Sequence, residues 1–167
     1  DSKKVLSAAV LVKLNALRRI SSCPFTYDDY KGNGTAKMKF IKGVIDAKIA
    51  AGKKVLVSSC YKPLVNLLQN EIEGAEGFTG EMPIQKRNKI MERFQTCDDP
   101  RILVVTTQCC NLGVTLTRAS TAIIADLLWS PKQLEQMWKR IHRVGQTEKC
   151  EILYLINQGM IDDDINK

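Results

Sequence analysis

The strongest constraint on the fold of this chain is a series of short apolar runs separated by amphipathic segments. The runs occupy residues 54–59, 101–107, 121–126 and 150–156. They do not alternate apolar and polar residues, as a strand with one solvent-exposed face does. Strands that are apolar on both faces are typical of a parallel sheet covered by helices on its two sides. The sequence therefore predicts an α/β fold with an open parallel sheet and helices on both faces.

Most of the segments between these apolar runs have apolar residues at helical spacing, which predicts helices. Before the first run, the pattern predicts a helix over residues 3–20, a polar loop at 27–35, and a second helix that Gly52 ends. Later segments predict a helix through Leu64, Leu67 and Leu68, a short strand and turn at 75–80, a helix starting near Pro83 and a short acidic helix from Met160. We expect residues 1–36 to be a helical lead-in and linker that packs on a lobe formed by 37–167.

Composition restricts the class of protein. With 167 residues, 44% hydrophobic and 26% charged, the chain suits one soluble globular domain, and no apolar run is long enough to span a membrane. Because it begins at Asp1 and not at Met, we expect a piece of a longer protein. The net charge of +7 favours a polyanionic partner such as nucleic acid, although many basic domains bind no polyanion.

The cysteines do not indicate a metal centre or a disulfide framework. The chain has six cysteines but no C-x-x-C pair, and a single histidine cannot complete the usual zinc patterns. Cys109 and Cys110 are adjacent, which suits neither a disulfide nor a metal site. We predict no metal site and interpret the cysteines as reduced thiols of an intracellular protein.

The segment Q-L-E-Q-M-W-K-R-I-H-R-V-G-Q at 133–146 is the best candidate for chemistry. If it forms one helix ended by Gly145, then Gln136, Arg140 and Arg143 share a face. Two guanidiniums and a carboxamide on one face could bind a phosphate or a carboxylate, because arginine is a planar fork of donors that keeps its charge. A solvated basic helix face explains the spacing equally well.

Small and hydroxyl-bearing residues recur where the predicted strands end. Ligands of open parallel sheets bind beyond the carboxyl ends of the strands, where such groups can meet phosphates. For any single residue, turn or cap chemistry is the simpler explanation, but the recurrence at four strand ends favours a binding edge. The residues concerned are Ser58, Ser59, Thr79, Gly80, Thr106, Thr107 and Asp126.

A phosphate-binding loop is absent from the sequence. No G-x-x-x-x-G-K-[ST] motif occurs, and no strand ends in an Asp-Glu pair suited to magnesium. Arginines without a phosphate-binding loop imply a partner domain that supplies the loop. Arginine fingers act in this way, because they stabilise transition-state charge from outside the loop that binds the phosphates.

A series of motifs, in order, resembles the C-terminal RecA-like lobe of the SWI/SNF-type ATPases of helicase superfamily two. The resemblance covers about residues 17–165, and motif V departs from it where Cys109 and Cys110 replace the usual glycines. The matching stretches are L-R-R-I-S-S-C-P at 17–24, K-V-L-V-S-S at 54–59, F-T-G-E-M-P-I-Q-K-R at 78–87, T-T-Q-C-C-N-L-G-V-T-L-T-R-A-S at 106–120, D-L-L-W-S-P at 126–131 and Q-M-W-K-R-I-H-R-V-G-Q at 136–146.

The resemblance implies a role for each matching position at the nucleotide. Arg143 is expected to act as an arginine finger with Arg140 beside it, and Gln136 and Gly113 are expected to face ATP. ATP and Mg²⁺ would be held mainly by an N-terminal RecA-like lobe that this chain does not contain.

The resemblance also implies double-stranded DNA as a partner. Arg87 would either contact DNA or form a structural salt bridge, and Trp129 would either lie at DNA or pack the loop before motif VI, which is the stretch at 136–146. Nuclear localisation and nucleosomes or repair proteins as further partners follow from the family alone. The residues expected at the sugar-phosphate backbone are Ser58, Ser59, Thr79, Gly80, Thr106 and Thr107.

Three functions fit the motifs. The first is the motor lobe of a DNA translocase, the second a non-catalytic DNA-binding or scaffold lobe of a decayed ATPase, and the third an RNA helicase lobe. Retention of both arginines favours the first over the second. The W-S-P and R-V-G-Q stretches resemble DNA translocases more than RNA helicases.

Overall fold

A computed structural model describes residues 2–32, 35–110 and 115–165 and contains a five-stranded sheet. All paired strands run parallel, in the order β2-β3-β1-β4-β5. The parallel sheet predicted from the apolar runs is confirmed. Its strands are β1 Lys54–Ser59, β2 Ala75–Phe78, β3 Ile102–Thr106, β4 Ala119–Ile124 and β5 Glu151–Tyr154.

Helices precede the sheet and connect its strands. The hydroxyl of Thr35 caps the second helix by accepting a hydrogen bond from the Met38 amide, and Gly52, with φ of 72°, follows its end. The short helix α5 directly after β3 was not predicted. The helices are α1 Ser2–Ser22, α2 Ala36–Ala50, α3 Lys62–Glu71, α4 Ile84–Thr96, α5 Thr107–Cys110, α6 Pro131–Trp138 and α7 Ile161–Ile165, with a 3-10 turn at Pro24–Thr26.

The three central strands, β3, β1 and β4, are buried on both faces, which explains why they read as unbroken apolar runs, whereas the edge strands β2 and β5 are partly exposed. Val55 and Val57 of β1 point into a core formed with α2 and α3, where Leu68 is buried. Leu56 points to the other side, into a second core that α4 and α6 complete with Phe94 among its buried residues. Successive strand residues alternate sides, so every residue of β1 needs an apolar or partnered side chain.

A buried ion pair between Lys37 and Asp126 connects the helices α1 and α2 to the sheet. Just past β4, the Asp126 carboxylate accepts hydrogen bonds from the Lys37 ammonium at 3.2 Å, the Ser59 hydroxyl at 2.5 Å and the Cys60 amide at 2.9 Å. It also accepts one from the Ser22 hydroxyl at the end of α1. Buried charges are stable only when they are paired and hydrogen-bonded in this way.

The same lysine connects this network to α7. Its ammonium lies 3.8 Å from the Asp162 carboxylate, which also accepts a hydrogen bond from the Ser21 hydroxyl at 3.1 Å. Farther from this junction, α1 is exposed, with Leu11 and Val12 60% and 68% accessible. The last turn of α1 is therefore fixed to the lobe, whereas the assignment of residues 1–36 to a separate lead-in stays a prediction.

None of the helices within the described ranges is both long enough and apolar enough to cross a membrane.

Asp126→Asn should destabilise the chain strongly. The substitution leaves the Lys37 ammonium buried and without its nearer carboxylate, and breaking a buried pair costs about 3 to 5 kcal/mol. Urea unfolding followed by circular dichroism would measure the loss.

Glu135→Gln is the matched control, because it breaks an exposed i,i+4 pair with Lys139 that is 2.7 Å long. That change should alter the unfolding free energy by no more than about 0.5 kcal/mol. Equal effects of the two substitutions would show that the buried network does not stabilise the fold.

Candidate nucleotide and nucleic-acid interface

The predicted strand-end residues lie along one edge of the sheet. Ser59 at the end of β1 is in register with Thr106 at the end of β3, and Ser58 is in register with Ile124 of β4. Thr79 follows β2, which runs parallel to β3. The parallel order thus brings four separate stretches of sequence to one surface.

Most of these residues are buried, and several hydroxyls have protein partners. Ser58, Ser59, Thr106 and Thr107 are 2%, 0%, 8% and 4% exposed. Ser59 donates to Asp126, and Thr106 donates to the Cys109 thiol at 3.1 Å. Their contact with DNA stays a prediction that would require these buried side chains to become accessible and Ser59 and Thr106 to give up or share existing partners.

The exposed part of this edge is the turn after β2. Thr79 is half-buried and Gly80 is exposed. A Cβ built on Gly80 would meet no atom within 4 Å, so Gly80 borders open space among the described residues. Of the predicted backbone contacts, this turn is the one that DNA could reach without rearrangement.

Arg87 of α4 lies beneath the same edge. One terminal guanidinium nitrogen is 3.8 Å from the Cys109 sulfur, and the buried Nε has no hydrogen-bond partner among the described residues. Within the same part of the chain it forms no ion pair with a carboxylate, so the salt-bridge alternative gains no support. Cys109 itself is 3% exposed and packs in the second core, with Phe94.

Trp129 is held at the surface by an arginine that sequence reasoning missed. The Trp129 side chain is 54% exposed, and the Arg18 guanidinium lies 5.5 Å from the centre of its ring. Arg18 also donates to the Leu127 carbonyl at 2.6 Å. The L-R-R-I motif, which contains Arg18, was the available signal in the sequence. Trp129, the partner of Arg18, lies more than a hundred residues further along the chain.

The predicted helix over residues 133–146 is wrong in its second half, because α6 ends at Trp138. Beyond it, the Arg140 carbonyl accepts a hydrogen bond from the Leu116 amide at 2.8 Å. The Ile141 carbonyl accepts one from the Gln146 side chain at 3.1 Å. These two partners, one distant and one local in the sequence, replace helical hydrogen bonds, so the chain continues as turns and Arg140 and Arg143 are not on α6.

The three predicted nucleotide-facing side chains nevertheless come together. Gln136, Arg140 and Arg143 line one open cavity of about 460 Å³, and no carboxylate is among its lining residues in the described ranges. Arg143 donates to the Thr115 hydroxyl at 3.0 Å, which connects motif VI to motif V. The geometry suits an anion better than a scattered basic surface would, and Gly113, the remaining predicted ATP contact, lies outside the described residues.

Two thiols near this edge, that of buried Cys23 and that of half-buried Cys60, are poor nucleophiles. Burial, with a smaller contribution from the Asp126 carboxylate, raises the pKa of Cys23 and of Cys60 from 9.0 to about 11. Both are therefore neutral at physiological pH.

The sheet order, the strand-end surface and the arginine-lined cavity define a RecA-like lobe. The family model of the helicase conserved C-terminal domain matches residues 36–145. The chain therefore belongs to the helicase conserved C-terminal domain family, and it is the C-terminal lobe of a SWI/SNF-type helicase.

Relatives and a solved structure agree with this assignment. The chain is 30% identical to the SNF2 domain-containing protein ENL1 of Oryza sativa subsp. japonica over 138 residues, which are 80% of this chain and 14% of that protein. It is 31% identical over 118 residues to the SWI/SNF-related matrix-associated actin-dependent regulator of chromatin subfamily A-like protein 1 homolog of Caenorhabditis elegans, covering 68% of this chain and 17% of that protein. The chain thus spans less than a fifth of the length of these two relatives.

The fold is that of the C-terminal part of the Fun30 ATPase domain. The two structures align with a TM-score of 0.75 at 21% identity, over 93% of this chain and 52% of the other. The predicted RecA-like class is confirmed.

Arg18→Ala should release the Trp129 ring, because the substitution removes both the cation above the ring and the hydrogen bond to Leu127. We expect stronger acrylamide quenching of Trp129 and a loss of about 1 kcal/mol in unfolding free energy. The measurement uses a Trp138→Phe background, since the chain has two tryptophans.

Arg19→Ala is the neighbouring control, because Arg19 stacks on Tyr27 and not on Trp129. Quenching that rises equally in both variants would show that Arg18 does not hold the ring.

Stability should fall as pH rises from about 9 to about 11, because the unfolded chain then releases thiol protons that folded Cys23 and Cys60 retain. Urea unfolding across this window would measure the slope, and Cys60→Ser should make it shallower. An unchanged slope in that variant would exclude a contribution from Cys60.

Proposed function

We propose that this chain is the C-terminal motor lobe of an ATP-dependent double-stranded DNA translocase that remodels chromatin or DNA forks. The observation that carries the proposal is the grouping of Gln136, Arg140 and Arg143 around one open cavity. A decayed scaffold lobe would not need this grouping.

The side chains of the cavity suit the phosphates of ATP. Bound ATP would supply phosphoryl-transfer chemistry, in which negative charge develops on the transferred group and guanidiniums stabilise it. The hydrogen bond from Arg143 to Thr115 holds one guanidinium terminus and would orient the rest of the fork. Arg140 would lie beside it, and Gln136 would contact the nucleotide or orient the turn.

The N-terminal RecA-like lobe of a longer protein would hold most of the nucleotide and Mg²⁺. Support comes from the missing phosphate-binding loop and from the absence of carboxylates among the described lining residues of the cavity. On this proposal, the isolated chain hydrolyses no ATP.

DNA would lie across the carboxyl edge of the sheet. The exposed turn at Thr79 and Gly80 and the surface ring of Trp129 are its most accessible predicted contacts. Contacts of this kind position the backbone without reading sequence, and the net charge of +7 favours them. Opening and closing of the two lobes would then move the duplex, in the nucleus, with nucleosomes or repair proteins as further partners.

Arg143→Ala in the longer protein should lower DNA-stimulated ATP turnover by roughly 10³ to 10⁵ while leaving duplex binding nearly unchanged. The reason is that the finger acts on the transition state and not on DNA. Steady-state ATPase assays and duplex binding would measure the two effects.

Lys139→Ala is the control from the same cavity, because Lys139 is already paired with Glu135. We expect that variant to retain turnover within a few-fold. Unchanged turnover in Arg143→Ala would remove the finger assignment.

Comparing stimulation by double-stranded DNA, single-stranded DNA and RNA would test the class of substrate. Strongest stimulation by RNA would favour the RNA helicase alternative, and no turnover with any of them would favour the scaffold alternative.

A further inference from the structure

A second cationic pocket lies at the opposite edge of the sheet from the proposed ATP and DNA contacts. Its volume is about 270 Å³, and it is formed where three parallel strands begin. Lys53 immediately precedes β1, Arg101 precedes β3 and Arg118 precedes β4. Since β1 lies between β3 and β4, the sheet order brings these three cations to one place.

Positive charge exceeds negative charge in the lining of this pocket. Four cations, including Lys54, face two carboxylates, those of Asp98 and Glu148. The Lys54 ammonium is buried and donates to backbone carbonyls at the end of α4, including that of Phe94 at 2.6 Å. It therefore caps the negative end of that helix and contributes only its field to the pocket.

Among the described residues, Arg101 and Arg118 form only loose ion pairs. Arg118 lies 3.5 Å from Asp98, whose side chain is 92% exposed, and Arg101 lies 3.7 Å from Asp99, whose side chain is 81% exposed. Exposed pairs at such distances contribute little to stability. Both guanidiniums can therefore turn to an incoming anion without a large loss.

We propose that this pocket binds a single phosphate group between Arg101 and Arg118, assisted by Lys53. Guanidinium forks match phosphate oxygens with paired donors, and the Thr117 hydroxyl at the pocket wall can add another. The two lining carboxylates limit the surplus of positive charge, which favours one phosphate over a triphosphate. The group comes either from a nucleic-acid backbone or from free phosphate, and the site does not depend on the proposed motor activity.

Two titrations of the 167-residue chain distinguish these sources. The first follows Thr117 and Arg118 amide signals by NMR while inorganic phosphate replaces chloride at constant ionic strength. The second measures binding of a short DNA duplex by fluorescence anisotropy over a range of salt concentrations. Arg101→Ala/Arg118→Ala is the test variant, and Lys42→Ala/Arg93→Ala removes the same charge at exposed positions outside the pocket.

If the phosphate belongs to DNA, the test variant should bind the duplex about tenfold more weakly, with the salt slope reduced by about one, and the control should change less. If the ligand is free phosphate, the amide shifts should saturate in the parent chain and disappear in the test variant. The proposal would be overturned if the test variant retained both duplex binding and the phosphate-dependent amide shifts. It would also be overturned if the test and control variants lost them equally.

Glu148→Gln provides a test that does not weaken the pocket. Glu148 pairs with Lys53 at 2.8 Å, so removing its charge frees that ammonium and increases the positive surplus. We expect phosphate or duplex to bind about threefold more tightly, as a charge-assisted contact is gained. Unchanged or weaker binding of both ligands would contradict the site even if the double variant failed to fold.

Discussion

The buried pair between Lys37 and Asp126 is the interaction on which the rest of the lobe depends. A lysine and a carboxylate inside a protein must satisfy each other, and here the carboxylate is further saturated by Ser22, Ser59 and the Cys60 amide. Four elements far apart in sequence therefore meet at the carboxyl edge of the sheet. The apolar cores hold the layers together, but this junction fixes where the ends of β1 and β4 lie relative to α1 and α2.

The cavity proposed to face the nucleotide is organised by backbone geometry more than by helix periodicity. The amide of Leu116 and the side chain of Gln146 bind carbonyls that would otherwise continue α6. The resulting turns let Ile141 enter the core while Arg140 and Arg143 line the cavity. A straight helix would have carried both arginines along one line, whereas the turns gather them around a concave surface with Gln136.

Parts of this structure could be predicted because their cause is local. The continuous apolar runs predicted a parallel sheet, since a strand buried on both faces has no polar side, and Pro83 and Gly52 marked helix ends correctly. The early end of α6 could not be predicted, because it depends partly on a hydrogen bond from the Leu116 amide, which is distant in the sequence. The same is true of the Arg18 contact with Trp129 and of the burial of Ser59 by Asp126. Motif spacing predicted which residues gather at the site but not which of their atoms remain accessible.

The attachment of α1 has a mechanical consequence. A helix of 21 residues is about 30 Å long. Its C-terminal end is anchored by the hydrogen bonds of Ser21 and Ser22 to Asp162 and Asp126 and by that of Arg18 to the Leu127 carbonyl. A sideways displacement of the far end therefore acts as a torque about this anchor. Such a torque would act on the Asp126 carboxylate, which fixes the ends of β1 and β4, so the length of α1 outside the anchor is mechanically coupled to the carboxyl edge of the sheet.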